Sequence, residues 1–239
     1  MLFEIMKGSY SPRELPFVIL VMLFALTISF SFHEFMHAAA ATWLGDDTPG
    51  NMGRLTLNPA AHLDPIGTAC LILLGFGWGK PVMFNPNRLT RFKSKRLMMV
   101  IVSLAGVFGN FILALISAII LMIYMMKTGI ASVTTSPGMS IVSVLAYIHS
   151  FSMGLLAFNL LPIPPLDGFR VIEEVIPLKL KYSNGWKKFC MYGPRVLMAI
   201  ILIGSMTGVN VLTNLIYLIE APFEFIISLI SVSIGRLFI

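Results

Sequence analysis

From Leu15 to Leu44 the chain runs thirty residues with Glu34 as its only formally charged side chain. A helix of that length is about 45 Å long, more than the roughly 30 Å hydrocarbon core of a bilayer. Further apolar stretches run over Leu97 to Met126, Met139 to about Leu161, Val196 to Ile219 and Ala221 to Ile239. Each is near or above the roughly 20 residues that a spanning helix needs. Only Glu220 separates the last two, which predicts a tight helical hairpin. Hydrophobic residues make up 57% of the chain and charged ones 12%, against roughly 25% charged in a soluble domain, so a water-soluble globule is excluded. The expected fold is an all-α polytopic membrane protein with five or six transmembrane helices. It reads as one membrane-embedded domain over residues 1–239, with a core at about 15–170 and a C-terminal helical hairpin at about 195–239.

The segment Ile66 to Trp78 is apolar but reaches only roughly 20 Å as a helix, so it is expected to be re-entrant or interfacial. The alternating Gly75, Gly77 and Gly79, then Lys80-Pro81-Val82, favour an extended edge after it. Non-helical backbone at membrane depth is tolerated where protein or a water-filled cavity satisfies it, so this segment is expected to line a cavity. With the segment not crossing, Arg54, Lys80, Arg88, Arg91, Lys93, Lys95 and Arg96 share one loop. Arg170, Lys179, Lys181, Lys187, Lys188 and Arg195 share another on the same side, and only Lys7, Arg13 and Lys127 lie opposite. The positive-inside rule then places both basic loops in the cytoplasm and the N-terminus outside. If the segment spans, the two basic loops still share a side, but Arg54 and the first helix invert. A prokaryotic cell (inner) membrane is the expected location. The net charge of +6 is explained by these loops, and no basic stripe interleaved with aromatics points to nucleic acid. Cys70 and Cys190 supply neither a disulfide framework nor a four-thiolate zinc site.

The first stretch begins with a few charges and resembles a signal peptide in outline. Its chemistry argues for a retained helix, because it holds His33-Glu34-Phe35-Met36-His37. Spacing i, i+4 puts both imidazoles on one helical face, where they can hold one metal ion, with Glu34 close enough to reach a water beside it. An acidic side chain near the centre of a spanning helix costs about 3 kcal/mol on insertion scales, so its presence argues for function. The competing explanation is a hydrogen-bonded polar cluster that joins helices.

Two histidines leave a zinc site short of its third protein ligand. His149 lies eighteen residues before Asp167, about 27 Å along a helix, so both cannot reach one metal; His149 is expected to be a polar residue near the outer interface. Asp167 follows Pro162, Pro164 and Pro165, which must break the helix. A carboxylate on that break can turn toward an ion on the first helix, or be an ordinary turn aspartate. His62 and Asp64 lie in a turn-rich loop, where His62 is a candidate second-shell group, gate or alternative ligand, or simply part of the turn. Asn110 and Asn159 are intramembrane amides that either contact substrate or join helices. Ala105 and Gly109 have small-xxx-small spacing and read as a close-packing surface. The Met-rich run Met122 to Met126 is read as packing or lipid-facing.

His33-Glu34-x-x-His37 in one membrane helix, Ser103-Leu104-Ala105-Gly106 with Asn110 in a later one, and Asn159-x-x-Pro162-x-Pro164-Pro165-Leu166-Asp167-Gly168 in a third together resemble the site-2 protease family of intramembrane zinc metalloproteases. The resemblance covers residues 15–170, and the segment Arg54 to Gly67 is similar to compact prokaryotic members. It implies zinc on His33, His37 and Asp167, one ion per chain, with Glu34 as catalytic base. It also implies a three-helix catalytic core from the first, third and fourth apolar segments, and hydrolysis of peptide bonds within or near transmembrane segments, that is, regulated intramembrane proteolysis. Val107 departs from the proline that many members carry after the Ala-Gly pair, and neither an inserted PDZ module nor a nucleotide-sensing tail is expected. The implied partners are a membrane-protein or membrane-anchored peptide substrate and the bilayer, with a regulatory membrane protein left open. A non-catalytic metal-binding scaffold or ion-handling protein is the alternative, and a hydrolase of another bond, such as a lipid-linked amide, is a third reading. The intact Glu34 favours peptide hydrolysis.

Overall fold

The computed structural model describes residues 13–74, 77–128, 136–207 and 211–235. Gly75 and Lys7, named above, and the final residues of the last apolar stretch lie outside the described residues.

Helix α1 (Leu15–Trp43) starts with a proline in its first turn, where the missing N–H has no helical partner to lose. Val18, Val21, Ala25, Ser29, His33, His37 and Ala41 are all buried, and their three- and four-residue steps trace a single face. The helix stops in a Schellman turn: Gly45 has φ +110°, its N–H donates to Thr42 O, and the Asp46 N–H donates to Ala41 O. An L side chain would be strained at that φ.

Short helices α2 (Thr48–Asn51), α3 (Pro59–His62) and α4 (Pro65–Leu74) follow. The Asp64 side chain accepts from the Gly67 N–H at 2.8 Å, so it caps α4. Helix α4 has 10 residues, about 15 Å, and is not among the candidate spans. The chain then runs extended toward a 3-10 turn at Pro86–Arg88, with an isolated antiparallel bridge between Leu63 and Gly79.

Helices α5 (Lys95–Thr128) and α6 (Ser136–Asn159) pack on each other and on α1 to form the three-helix centre of the molecule. After α6 come α7 (Asp167–Val175), α8 (Leu178–Lys181), α9 (Asn184–Thr207) and α10 (Val211–Gly235). Helix α10 lies against α5 and α6, where Val107, Ala114, Met153, Leu156, Ala157 and Ile227 are buried together. The Phe111 and Phe223 rings meet edge to face at 6.0 Å across the same seam.

Among the described residues four helices are long and apolar enough to cross a membrane: α1, α5, Met139–Asn159 of α6 and Leu212–Gly235 of α10. The C-terminal part differs from the expected hairpin in where its helices meet. Glu220 does not interrupt the chain, since α10 runs through both Glu220 and Pro222 as one helix. Among the described residues the preceding helix runs from Asn184 through Pro194 to Thr207 and is not among the candidate spans. A proline inside a membrane helix is tolerated where neighbouring groups satisfy the freed carbonyl, which is why neither proline marks a boundary.

Candidate metal centre

His33 and His37 project from the buried face of α1 with their ring centroids 4.6 Å apart and nearly perpendicular. The third group arrives from the break after α6. Pro162, Pro164 and Pro165 cannot continue a helix, and the chain restarts one at Asp167, where an acidic first-turn residue suits the positive end of α7. The Asp167 Oδ2 lies 3.2 Å from His33 Nε2 and 3.1 Å from His37 Nε2, and the two Nε2 atoms are 3.0 Å apart. These three residues are the one group of metal-ligating type found among the described residues.

The outer ring atoms fix the inner ones. His37 Nδ1 lies 2.7 Å from the carbonyl oxygen of Val102 on α5, so Nδ1–H donates there and the Nε2 lone pair points inward. His33 Nδ1 faces the Asn110 amide at 3.1 Å. An imidazole that binds metal through Nε2 carries its proton on Nδ1 and needs an acceptor. The Asn110 Oδ1 is buried without a partner as placed, and turning the amide over satisfies both groups. Asn110 thus orients a histidine, and does so from a fully buried position.

Zinc fits this donor set. A tetrahedral ion with bonds of about 2.0–2.1 Å spaces its ligand atoms about 3.3 Å apart, close to the separations here. Two lone pairs and a carboxylate oxygen converge with no hydrogen between them, and Asp167 Oδ2 is buried without a hydrogen-bond donor. A cation resolves that repulsion. Room for it depends on Gly106, since a Cβ there would sit 2.4 Å from His37 Nε2 and 2.5 Å from His33 Cε1.

Glu34 lies beside this group, and its Oε2 accepts the Val82 backbone N–H at 3.0 Å. The expected extended edge therefore comes directly to Glu34. Its path is set on both sides: the Lys80 N–H donates to His62 O at 2.7 Å, and the Asn85 N–H donates to the Asp46 carboxylate. Burial pushes the Asp46 carboxyl up, and this is outweighed by bonds from the Thr48 hydroxyl and the Asn85 and Thr48 N–H groups, helped by Arg88, so it sits below the usual carboxylate range. A cleft over the three ligands is lined by Glu34, Pro81, Val82, Phe84, Asn159 and Arg170 among others.

Of the other sequence candidates, Asn159 lines this cleft and donates to Leu155 O at 2.9 Å. His62 is outside the group of three; its buried ring bonds Thr56 O at 2.8 Å, and its own carbonyl holds the extended edge. His149 is not near an outer interface. It occupies the middle of the α6 span, 2.9 Å from Glu224 on α10, because a partner carboxylate and the Ala114 carbonyl satisfy it there. The contributions of Val82, Val102 and Gly106 were not visible as such in the sequence. The one available signal is that Val102, Gly106 and Asn110 recur at four-residue steps on one face of α5.

The profile of peptidase family M50 matches residues 122–204, which include the Asp167 break. YwhC of Bacillus subtilis (strain 168), provisionally named a zinc metalloprotease, is 40% identical over 170 residues, covering 70% of this chain and 73% of that protein. Rip2 of Mycolicibacterium smegmatis, under the same provisional name, is 31% identical over 164 residues, covering 65% of this chain and 57% of that protein. No solved structure matches the chain. These relatives disfavour the non-catalytic scaffold. With the histidine pair and the aspartate brought together inside a helical membrane protein, the chain belongs to peptidase family M50, the site-2 protease family, and is a zinc metalloendopeptidase embedded in the bilayer where its membrane-protein substrates lie.

Proposed function

We propose that His33, His37 and Asp167 hold the zinc and that Glu34 is the general base for hydrolysis of a peptide bond within or near a transmembrane segment. The observation that carries this reading is the convergence of three donor atoms within 3.2 Å of one another, with the Glu34 carboxylate on the same cleft. When bound, zinc supplies Lewis acidity to the scissile carbonyl and lowers the pKa of a water toward neutrality. Val82 N–H occupies Glu34 Oε2 and so leaves Oε1 for the water. Glu34 takes one proton from that water as its oxygen bonds to the carbonyl carbon. It returns the proton to the amide nitrogen as the C–N bond breaks, so the carboxylate ends as it began. Val102 and Asn110 hold the imidazoles by their Nδ1 atoms throughout. A substrate helix must unwind locally to expose its amide, and the backbone of Gly79 and the Pro81 carbonyl, on the side of the extended edge opposite the bonded Lys80 and Val82 N–H groups, can pair with the unwound segment.

His37 is six residues, about 9 Å, from the end of α1, and Asp167 lies at the end of α6 that leads to the second basic loop. Both basic loops are cytoplasmic in this reading, which puts the metal nearer that face. Residues 1–239 act as one domain, and a prokaryotic cell membrane is the proposed location.

Glu34→Gln tests the chemistry. Glutamine keeps the size and can still accept the Val82 N–H, yet it cannot accept a proton from water. General acid and base catalysis contributes about 10² to 10⁴ in rate, and one carboxylate serving twice places the expected loss at the upper end. The variant is expected to retain zinc and to lose cleavage of a membrane-spanning substrate in detergent. Cleavage within tenfold of wild type, with zinc retained, would remove Glu34 as the base.

A further inference from the structure

A second set of ionisable groups lies within the spanning helices, apart from the zinc centre. His149 is central in α6, with Nδ1 at 3.1 Å from the Ala114 carbonyl oxygen and Nε2 at 2.9 Å from Glu224. Glu224 is central in turn, the fourteenth residue of the 25 in α10. Glu220 lies one turn earlier on the side of α6, where its Oε1 would be 3.9 Å from a Cβ on Gly154, and it makes no hydrogen bond among the described residues. His149 partners one of these two carboxyls. The other, Glu220, has no such partner within the same spanning helix, where insertion scales make acidic residues costly and where they mark function.

The neighbourhood of these two carboxyls is unlike a lipid-facing surface. Tyr217, Ala221, Glu224 and Ser228 follow one another at steps of four, three and four, which places them along one edge of α10. Tyr217 is 63% exposed, the Glu224 side chain 44%, and Ala221 and Ser228 are exposed as well. Small and hydroxyl side chains in this arrangement are what spanning helices use to approach one another and to bond across the gap. Leu218, Phe225 and Leu229, beside the edge, are ordinary lipid-facing residues.

We infer that this edge of α10 docks a membrane-spanning helix of another protein that carries a lysine or arginine at mid-depth. Charge complementarity selects the occupant. A carboxyl without a partner there calls for a cation, and the candidate spans of a second copy do not offer one at that depth: α1, α6 and α10 contain no lysine or arginine, and α5 has them only in its first and last turns. The inference does not depend on the assignment of the zinc ligands or of the base.

The test uses the full chain in lipid vesicles with a fluorophore on an extramembrane loop. The probes are three labelled leucine-rich spanning peptides, with lysine at the centre, leucine at the centre, or lysine moved to the helix end. Energy transfer is expected to show at least tenfold tighter association of the centred-lysine helix than of the other two. Glu220→Gln leaves the His149 to Glu224 bond in place and is expected to reduce that preference at least threefold, and Glu220→Gln with Glu224→Gln to bring it within twofold of the leucine control. Equal binding of the three helices would overturn the inference. So would a preference unchanged in Glu220→Gln, or association between copies of this chain that disappears in Glu224→Gln.

Discussion

Gly106→Ala should empty the proposed zinc centre without replacing any of its proposed ligands. The added methyl would lie 2.4 Å from His37 Nε2, 2.5 Å from His33 Cε1 and 2.7 Å from His33 Nδ1. Carbon contacts become favourable only at about 3.5 Å, so the two rings must retreat by roughly 1 Å. They have little freedom to do so, since the same helix holds them through Val102 at 2.7 Å and Asn110 at 3.1 Å. Zinc tolerates about 0.2 Å in its bonds, and disturbing an outer partner alone costs 10- to 100-fold in affinity. A loss of at least 100-fold, about 2.8 kcal/mol, is therefore expected. Gly109→Ala is the matched control for the loss of close packing: its methyl would meet Met36 Cγ at 2.4 Å and Cβ at 3.1 Å, against α1 but at neither imidazole. The assay is metal content of purified protein against a graded chelator, with circular dichroism to check that the helices remain and Asp167→Ala as the metal-free reference. If Gly106→Ala keeps zinc within threefold of wild type while Gly109→Ala does the same, the geometry argued here for the centre is wrong.

Two further outcomes follow from the loops. Asp46→Asn is expected to lower thermal stability by about 1.5–3 kcal/mol, the range for hydrogen bonds to a charged group. Because the folded Asp46 titrates below its unfolded value of about 3.9, its contribution is full above that pH and fades as pH falls through the folded value, so the wild type should lose stability on acidification by more than the variant does; identical acid profiles would contradict this. Single cysteines placed at Lys93 and Lys181, after replacement of Cys70 and Cys190, should react with an impermeant reagent only once cells are opened. Labelling from outside would invert the proposed orientation.

The convergence of His33, His37 and Asp167 was legible in the sequence to the extent that its determinants are local. His33 and His37 are one helical turn apart, so their shared face follows from helix geometry, and the prolines before Asp167 announce a break whatever the rest of the chain does. The role of α5 was only half legible. Small residues on a membrane helix signal close packing, and Gly109 against Met36 is such packing, but the same signal at Gly106 conceals contact with two imidazoles. Asn110 read as substrate contact or helix glue because an amide's partner depends on which helix stands opposite. At the C-terminus the hydropathy pattern placed a boundary at Glu220, whereas Glu220 and Glu224 are carried within a spanning helix beside His149. Hydropathy treats an acidic residue as an end, and it cannot register a partner on another helix.

Least legible was the link between the base and the surface loops, because it is made of backbone groups. The Val82 N–H that bonds Glu34 is 48 residues away in sequence, and a main-chain donor has no residue identity to recognise. Its position nevertheless follows from side chains. Gly45 permits the turn that ends α1, the turn brings Asp46 back over the helix end, and the buried Asp46 carboxylate takes the Asn85 N–H. From the other side His62, held through its ring by Thr56, offers its carbonyl to Lys80. Two residues lie between Val82 and Asn85 on one flank and one lies between Lys80 and Val82 on the other, so the N–H at Val82 has almost no freedom. The Glu34 carboxylate, the proposed base, is then held through a segment anchored by Asp46 and His62, neither of which belongs to the group of three ligating side chains, and damage to either anchor should disturb Glu34 before it disturbs the metal.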